Sequence, residues 1–384
     1  MNNIEILIFL LLLFMGVPDL CRRLRRPALA YPIFVLFGLL AGPIVDAGAQ
    51  TMLQQAGRIG FLLLLFEVGL EIDLPPARQF LRDQGTALGF SLLQYPLVLA
   101  LASVAGLDLA ESLIAAFALT GCSVGMAFAA WKAFPGLLLE ERARLLAVMV
   151  ALEMITIVAL ALSSTALQSG VTWMLGAKFV GMTVVVLLIA RFAAHFVRTF
   201  QRILDMTTHW RLHWLVLLVL AVCAVGERLG LEAAKTAFFL GLFMSRARHQ
   251  GMNLEDCIAP ISRRFLIPMF FFALGLQVQW PMLWTWNALL ALGTAGLLLG
   301  AKEVLHRRGF RLAADPRAFV LLSPNLTMVA LGANALFLAQ PGSPGGMWLL
   351  LTGLFTTVFA ILLTPPEDAE SRPRPYSNSA RKVE

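Results

Sequence analysis

Apolar runs of bilayer-spanning length recur from one end of this chain to the other, separated by short loops that carry most of its charge. A hydrocarbon core needs about 20 consecutive apolar residues of helix to cross it. A chain built this way is restricted to one architecture, an all-α polytopic membrane protein. Composition agrees: 59% of residues are hydrophobic and 14% charged, against about 25% charged residues in an ordinary soluble domain. A soluble globule of 384 residues is excluded.

The runs give about thirteen candidate spans, at 5–20, 31–45, 53–70, 86–107, 111–134, 142–167, 172–197, 213–230, 232–247, 263–279, 283–305, 315–339 and 345–363. Basic residues test that count. The odd-numbered loops hold, in order, Arg22, Arg23, Arg25 and Arg26; Arg78 and Arg82; Lys132, Arg142 and Arg144; Arg198, Arg202 and Arg211; Arg246, Arg248, Arg263 and Arg264; then Arg307, Arg308, Arg311 and Arg317. The even-numbered loops are nearly free of Lys and Arg apart from Arg228. Positive loops face the cytoplasm, so the expected topology has the N-terminus outside and the C-terminus in the cytoplasm, in a cell membrane and, as the expected setting, a bacterial inner membrane. The formal charge of +7 follows from this pattern and gives no reason to expect a nucleic-acid partner. Residues 1–364 read as one transmembrane domain. Residues 365–384 are polar and Pro-rich and read as a disordered tail.

The N-terminus lacks a basic n-region and its arginines follow the apolar stretch, which favours a retained helix over a cleaved signal peptide. Cys21, Cys122, Cys223 and Cys257 show no paired spacing, so neither a disulfide framework nor a zinc site is expected. No nucleotide-binding glycine motif is present, and no cofactor is expected.

Glu153 is the residue that points to function. It sits inside the apolar run from Leu145 to Leu160. A carboxylate near the bilayer midplane costs roughly 2.5–3.5 kcal/mol on insertion scales, and such residues usually face a bundle interior and handle protons or ions. Two helices also carry interruptions. Thr120-Gly121-Cys122-Ser123-Val124-Gly125 lies in the fifth span and Ser323-Pro324-Asn325-Leu326-Thr327 in the twelfth. Pro324 removes a backbone donor, and Gly121 and Gly125 weaken helical preference. Thirteen spans divide as six, a linker and six, so the two halves would be inverted repeats with the fifth and twelfth spans as equivalents. Interrupted segments at corresponding positions are the best sequence pointer to a transporter's binding site.

Four segments resemble one family. They are Leu64-Leu65-Phe66-Glu67-Val68-Gly69-Leu70-Glu71, Gly121-Cys122-Ser123-Val124-Gly125, Ala237-Phe238-Phe239-Leu240-Gly241-Leu242 and Ile267-Pro268-Met269-Phe270-Phe271-Phe272-Ala273-Leu274-Gly275-Leu276. Their order and spacing are similar to those of the Kef-type monovalent cation/proton antiporters and their sodium/proton relatives. The resemblance implies a panel of scaffold helices, usually dimeric, and a mobile core containing two crossed discontinuous helices. It places Glu153 where relatives carry the second acid of an acidic or amide-acid pair, with Leu152 in place of the first. Cys122 stands where relatives have Thr. Pro324-Asn325-Leu326-Thr327 stands where many relatives have a Gly-Glu element.

Each candidate has a functional and a structural reading. Glu153 either alternates between proton and cation or is a permanently protonated or ion-paired structural acid. Burial and a nearby cation act oppositely on a carboxyl's proton affinity, and a value near ambient pH would let Na⁺ or K⁺ compete with H⁺. Lys302 matches a basic family position; it pairs with Glu153 or not at all, the alternative being a lysine snorkelling to the cytoplasmic face. Ser123, Asn325, Thr120 and Thr327 offer oxygen to a hard cation, or make interhelical hydrogen bonds. Glu67 and Glu71 read as interfacial acids paired with loop arginines.

The expected function is monovalent cation/proton antiport by rigid-body movement of a core, electroneutral because one acid is present, with Na⁺ or K⁺ and H⁺ as the transported ions in a homodimer within the lipid bilayer. It is not expected to be an enzyme. The alternatives are an organic-anion symporter on a related fold, which would want basic or amide groups near helix N-termini, and a non-transporting membrane sensor or assembly protein.

Overall fold

The computed structural model describes residues 3–71, 77–169, 211–228, 233–244, 248–249, 252–253, 262–278, 280–340 and 342–365. These residues are helices and their connections, apart from one two-residue antiparallel ladder that pairs Arg248 with Asn253 and His249 with Met252. Six described helical segments are long and apolar enough to cross a membrane: Gln84–Val104, Leu109–Phe128, Leu139–Leu160, Trp286–Phe310, Pro316–Ala339 and Pro344–Leu363. Further expected spans fall on Asn3–Arg23, Ala30–Ala41, Ala47–Glu71, Arg211–Arg228, Ala233–Met244 and Ile267–Leu276. The span expected at 172–197 lies outside the described residues, as do the tail beyond residue 365 and the loop arginines Arg198 and Arg202. The described residues therefore do not reach a count of thirteen.

Local chemistry explains where several helices differ from expectation. The helix expected from 111 begins at Leu109, because Asp108 closes a capping box: its carboxylate accepts from Glu111 N and its own N–H donates to Glu111. That satisfies two of the orphan donors at the helix start. The single span expected over 86–107 is two helices, Ala77–Leu92 and Tyr95–Val104. Pro96 stands in the first turn of the second, the position where its missing N–H costs least. Arg78 and Arg82, expected in a loop, therefore lie on helix. Arg263 and Arg264 lie in a π-helical turn, Ser262–Leu266, ahead of Ile267–Leu276, and Arg307 and Arg308 lie in another, Leu305–Phe310.

Two groups of helices pack closely within themselves. The first joins Ala30–Ala41, Ala47–Glu71, Ala233–Met244 and Ile267–Leu276. Its backbones touch: a Cβ placed on Gly38 would strike the Phe272 carbonyl, and one on Gly275 the Val35 carbonyl. Small residues that let backbones approach are what holds membrane helices together when apolar burial provides no driving force between them. The second group joins Leu109–Thr120, Leu139–Ser169, Trp286–Val304, Leu326–Ala339 and Pro344–Leu363. Contacts between the two groups are sparse.

Candidate ion-binding site

Both interrupted helices are broken where glycine and proline place the break. The first runs Leu109–Thr120, stops over residues 121–123, and resumes as Val124–Ala133. Gly121 has an extended backbone there. Gly125, expected as a second breaker, lies inside the resumed helix, so the break belongs to Gly121–Ser123. The second begins as a 3₁₀ segment, Pro316–Leu322, stops over 323–325, and resumes as Leu326–Ala339.

A broken helix exposes orphan backbone groups, which at membrane depth must find protein partners. Here the breaks satisfy each other. Ser123 N donates to Pro324 O at 2.7 Å. Asn325 Nδ2 donates to Leu119 O at 2.8 Å. Cys122 Sγ lies 3.4 Å from Leu321 O. Ser123 Oγ reaches Thr327 Oγ1 at 3.1 Å. Thr357, from the last helix, accepts from Asn325 N at 3.2 Å. The two breaks are one hydrogen-bonded knot.

Two charged side chains complete the knot at opposite helix ends. Glu153 sits near the middle of the 31-residue helix Leu139–Ser169 and is 1% exposed. Its Oε2 accepts from Val124 N, the first N–H of the resumed half-helix, at 3.3 Å. That is long for such a bond, but it places a carboxylate at the positive end of a helix, where negative charge is favoured by about 0.3–1 kcal/mol at exposed sites and up to about 2 in buried ones. Arg142 occupies the other end of the same half-helix, donating to the carbonyls of Trp131, Lys132 and Phe134 at 2.8, 2.9 and 2.6 Å. This arginine, expected at the flank of a loop, is a C-terminal cap.

Lys302 is fully buried, which removes the snorkelling reading. Its Nζ donates to Leu322 O at 3.0 Å, at the C-terminal end of the 3₁₀ segment. Cys122 and Leu152 are buried in the apolar cluster around the breaks. Lys302 thus holds the negative end of one broken helix, while Glu153 meets the positive end of the other. An organic-anion site would carry the opposite polarity, with basic or amide groups at half-helix N-termini.

The other oxygen candidates are committed to the knot or to their own helix. Thr120 Oγ1 donates to Ala116 O at 2.8 Å. Ser123, Thr327 and Asn325 make the interhelical bonds given above. The sequence does not single out two further threonines, Thr357 and Thr156. Both are buried beside the breaks, and Thr156 carried the signal of lying at i+3 from Glu153. Glu67 has the arginine partner expected of it, Arg263 Nε at 3.5 Å, and also accepts from Ser262 Oγ, but it is buried. The side chain of Glu71 lies outside what is described.

Between the two helix groups a cavity of ≈ 560 Å³ is lined by Gln50, Gln54, Arg58, Gln277 and Asn334 among others. Another cavity, where Arg25–Ala28 meets Met126, Ala127 and Pro324, measures ≈ 30 Å³. There Arg26 donates to the Ile361 carbonyl, tying a loop of the first group to the last helix of the second.

Known proteins match this arrangement over nearly the whole chain. The family described as sodium/hydrogen exchanger, transmembrane, matches residues 8–365. The Na(+)/H(+)-K(+) antiporter GerN of Bacillus cereus is 23% identical over 370 residues, covering 91% of this chain and 90% of GerN. The solved structure of the sodium proton antiporter MjNhaP1 from Methanocaldococcus jannaschii shares the fold, with a TM-score of 0.65 over 94% of this chain and 95% of that one, at 14% identity. The chain is a multi-pass membrane protein of the sodium/hydrogen exchanger family.

Proposed function

We propose that this chain exchanges a monovalent cation, Na⁺ or K⁺, for a proton, with Glu153 as the group that binds both in turn. The observation that carries the reading is a single carboxylate, 1% exposed, held at the start of a half-helix where two broken helices cross. Burying a carboxylate carries a desolvation cost of several kcal/mol. A proton or a cation neutralises it equally well, so the two compete for one site. Lys302 is occupied at Leu322 O, so its charge stays with the scaffold of the break. One titrating acid supports electroneutral one-for-one exchange. The relative GerN is named for Na⁺, H⁺ and K⁺, which supports a monovalent cation and keeps both Na⁺ and K⁺ as substrates.

The movement proposed is of the elevator type. Sparse contacts between two internally well-packed helix groups support it. The second group would carry the knot past the first as a rigid body. Two inverted six-helix repeats would account for paired breaks that interlock, and residues 1–364 would form the single exchanger domain. The four motifs support a place among the Kef-type members, working as a homodimer with the N-terminus outside and the C-terminus in the cytoplasm.

The test is proton movement in inverted membrane vesicles with Na⁺, K⁺ or Li⁺ added in turn. Wild type should move protons on addition of at least one cation, and Glu153→Gln on none. A wild type that stays silent across the pH range would refute exchange. A clear potential-driven current would refute electroneutrality alone.

A further inference from the structure

The oxygen groups that the sequence points to bond within the breaks or within their own helix, and the helix that carries Glu153 offers one more. Thr156 lies one turn further along the same helix, and side chains at i and i+3 share a face. It is 2% exposed. Glu153 meets the break at Val124 N, and Thr156 meets it at Gly121. A Cβ placed on Gly121 would lie 2.5 Å from Thr156 Oγ1, so the hydroxyl packs directly on the broken backbone. Its proton is directed at Phe117 O, at 3.4 Å. A hydroxyl that donates its proton keeps two acceptor lone pairs, and hard cations take oxygen ligands.

We propose that Thr156 is a cation ligand of the Glu153 site, its Oγ1 oriented by the Phe117 carbonyl so that its lone pairs serve the ion that the carboxylate attracts. This rests on the exchange reading above and adds to it a means of discrimination. A proton needs only the carboxylate. A sodium or potassium ion needs further oxygens to replace its water, and Thr156 supplies one without adding charge. Gly121 is part of the same device, since any side chain there would displace the hydroxyl.

The experiment compares wild type, Thr156→Val and Thr156→Ser in the vesicle assay, titrating Na⁺ and K⁺ at fixed pH and pH at fixed cation. Thr156→Val keeps the shape and removes the oxygen. It should raise the half-saturating cation concentration roughly tenfold, equivalent to about 1.4 kcal/mol, while the pH dependence at saturating cation stays that of wild type. Thr156→Ser should stay within about twofold of wild type, since it keeps the hydroxyl. If Thr156→Val fails to fold, Thr156→Cys is read in its place, because it keeps the volume and replaces a hard oxygen with a soft sulfur. Wild-type half-saturation in the folded oxygen-free variant overturns the proposal, as does equal impairment in Thr156→Ser. Silence from wild type itself overturns the exchange reading and this proposal with it.

Discussion

The two helix breaks pose one physical problem and answer it with opposite charges. At Gly121–Ser123 a carboxylate, Glu153, faces the positive end of the resumed half-helix through Val124 N. At Ser323–Asn325 an ammonium, Lys302, faces the negative end of the preceding segment through Leu322 O. Both groups are buried and each complements its helix end. They differ in what can replace them. A carboxylate accepts, so a proton or a metal cation takes the place of the N–H dipole. An ammonium only donates, and its partner is a fixed carbonyl. Under the proposed exchange, the first break would be the working half of the site and the second its anchor.

The largest effect that sharpens this contrast is functional. Glu153→Gln should abolish cation-evoked proton movement while leaving the folded protein as stable as wild type or more so, because it removes a buried charge and keeps a partner for Val124 N. Lys302→Met should do the reverse. It strips a charged donor from a buried carbonyl, and hydrogen bonds to charged groups contribute about 1.5–3 kcal/mol. A marked fall in Tm is expected, with exchange retained in the protein that folds. Loss of exchange from well-folded Lys302→Met would make both breaks working halves. Asn325→Ala comes next. It leaves Leu119 O without its donor, at about 1–3 kcal/mol, and should lower Tm without changing ion selectivity.

The smallest effect lies at Asp315, just ahead of Pro316–Leu322. Its carboxylate accepts from Arg317 N at 2.8 Å and from the Arg317 guanidinium at 3.0 Å. These bonds hold its carboxyl below the usual carboxylate range. The stabilisation is therefore present above the ordinary carboxylate pKa and is lost as pH falls through the lower folded value. Asp315→Ala should cost about 1 kcal/mol or less at neutral pH, as for an exposed cap, with the difference from wild type closing in acid. A thermal melt series over pH checks this, and a difference that persists unchanged in acid would rule out the carboxylate as its source.

Several of these features were legible in the sequence because they are local. Gly121 and Pro324 mark breaks through backbone preference alone, and Glu153 stands out because nothing apolar surrounds a carboxylate without cost. Partnership was not legible. Lys302 was expected to pair with Glu153 or to reach the surface; burial rules out the surface, and packing brings Leu322 O to its amine, a fact of tertiary geometry. Gly125 was expected to break a helix that it only begins, since Ser123 and Pro324 had already exchanged a backbone bond two residues earlier. Thr156 was overlooked because a threonine in a membrane helix can bond within its own turn, and only the position of Gly121 against it reveals otherwise. Glu67 pairs with a loop arginine, Arg263, as expected, but its burial under the turn Ser262–Leu266 was not legible.

The central claim is that proton and cation compete for Glu153. Its most direct test is the thermal stability of the purified protein, titrated with Na⁺ and K⁺ at several pH values. A ligand that binds only the folded state raises stability by mass action. Wild type should gain stability from the cation at high pH and progressively lose that gain as pH falls, and Glu153→Gln should show no gain at any pH. Cation stabilisation that ignores pH, or that survives in Glu153→Gln, would contradict the account.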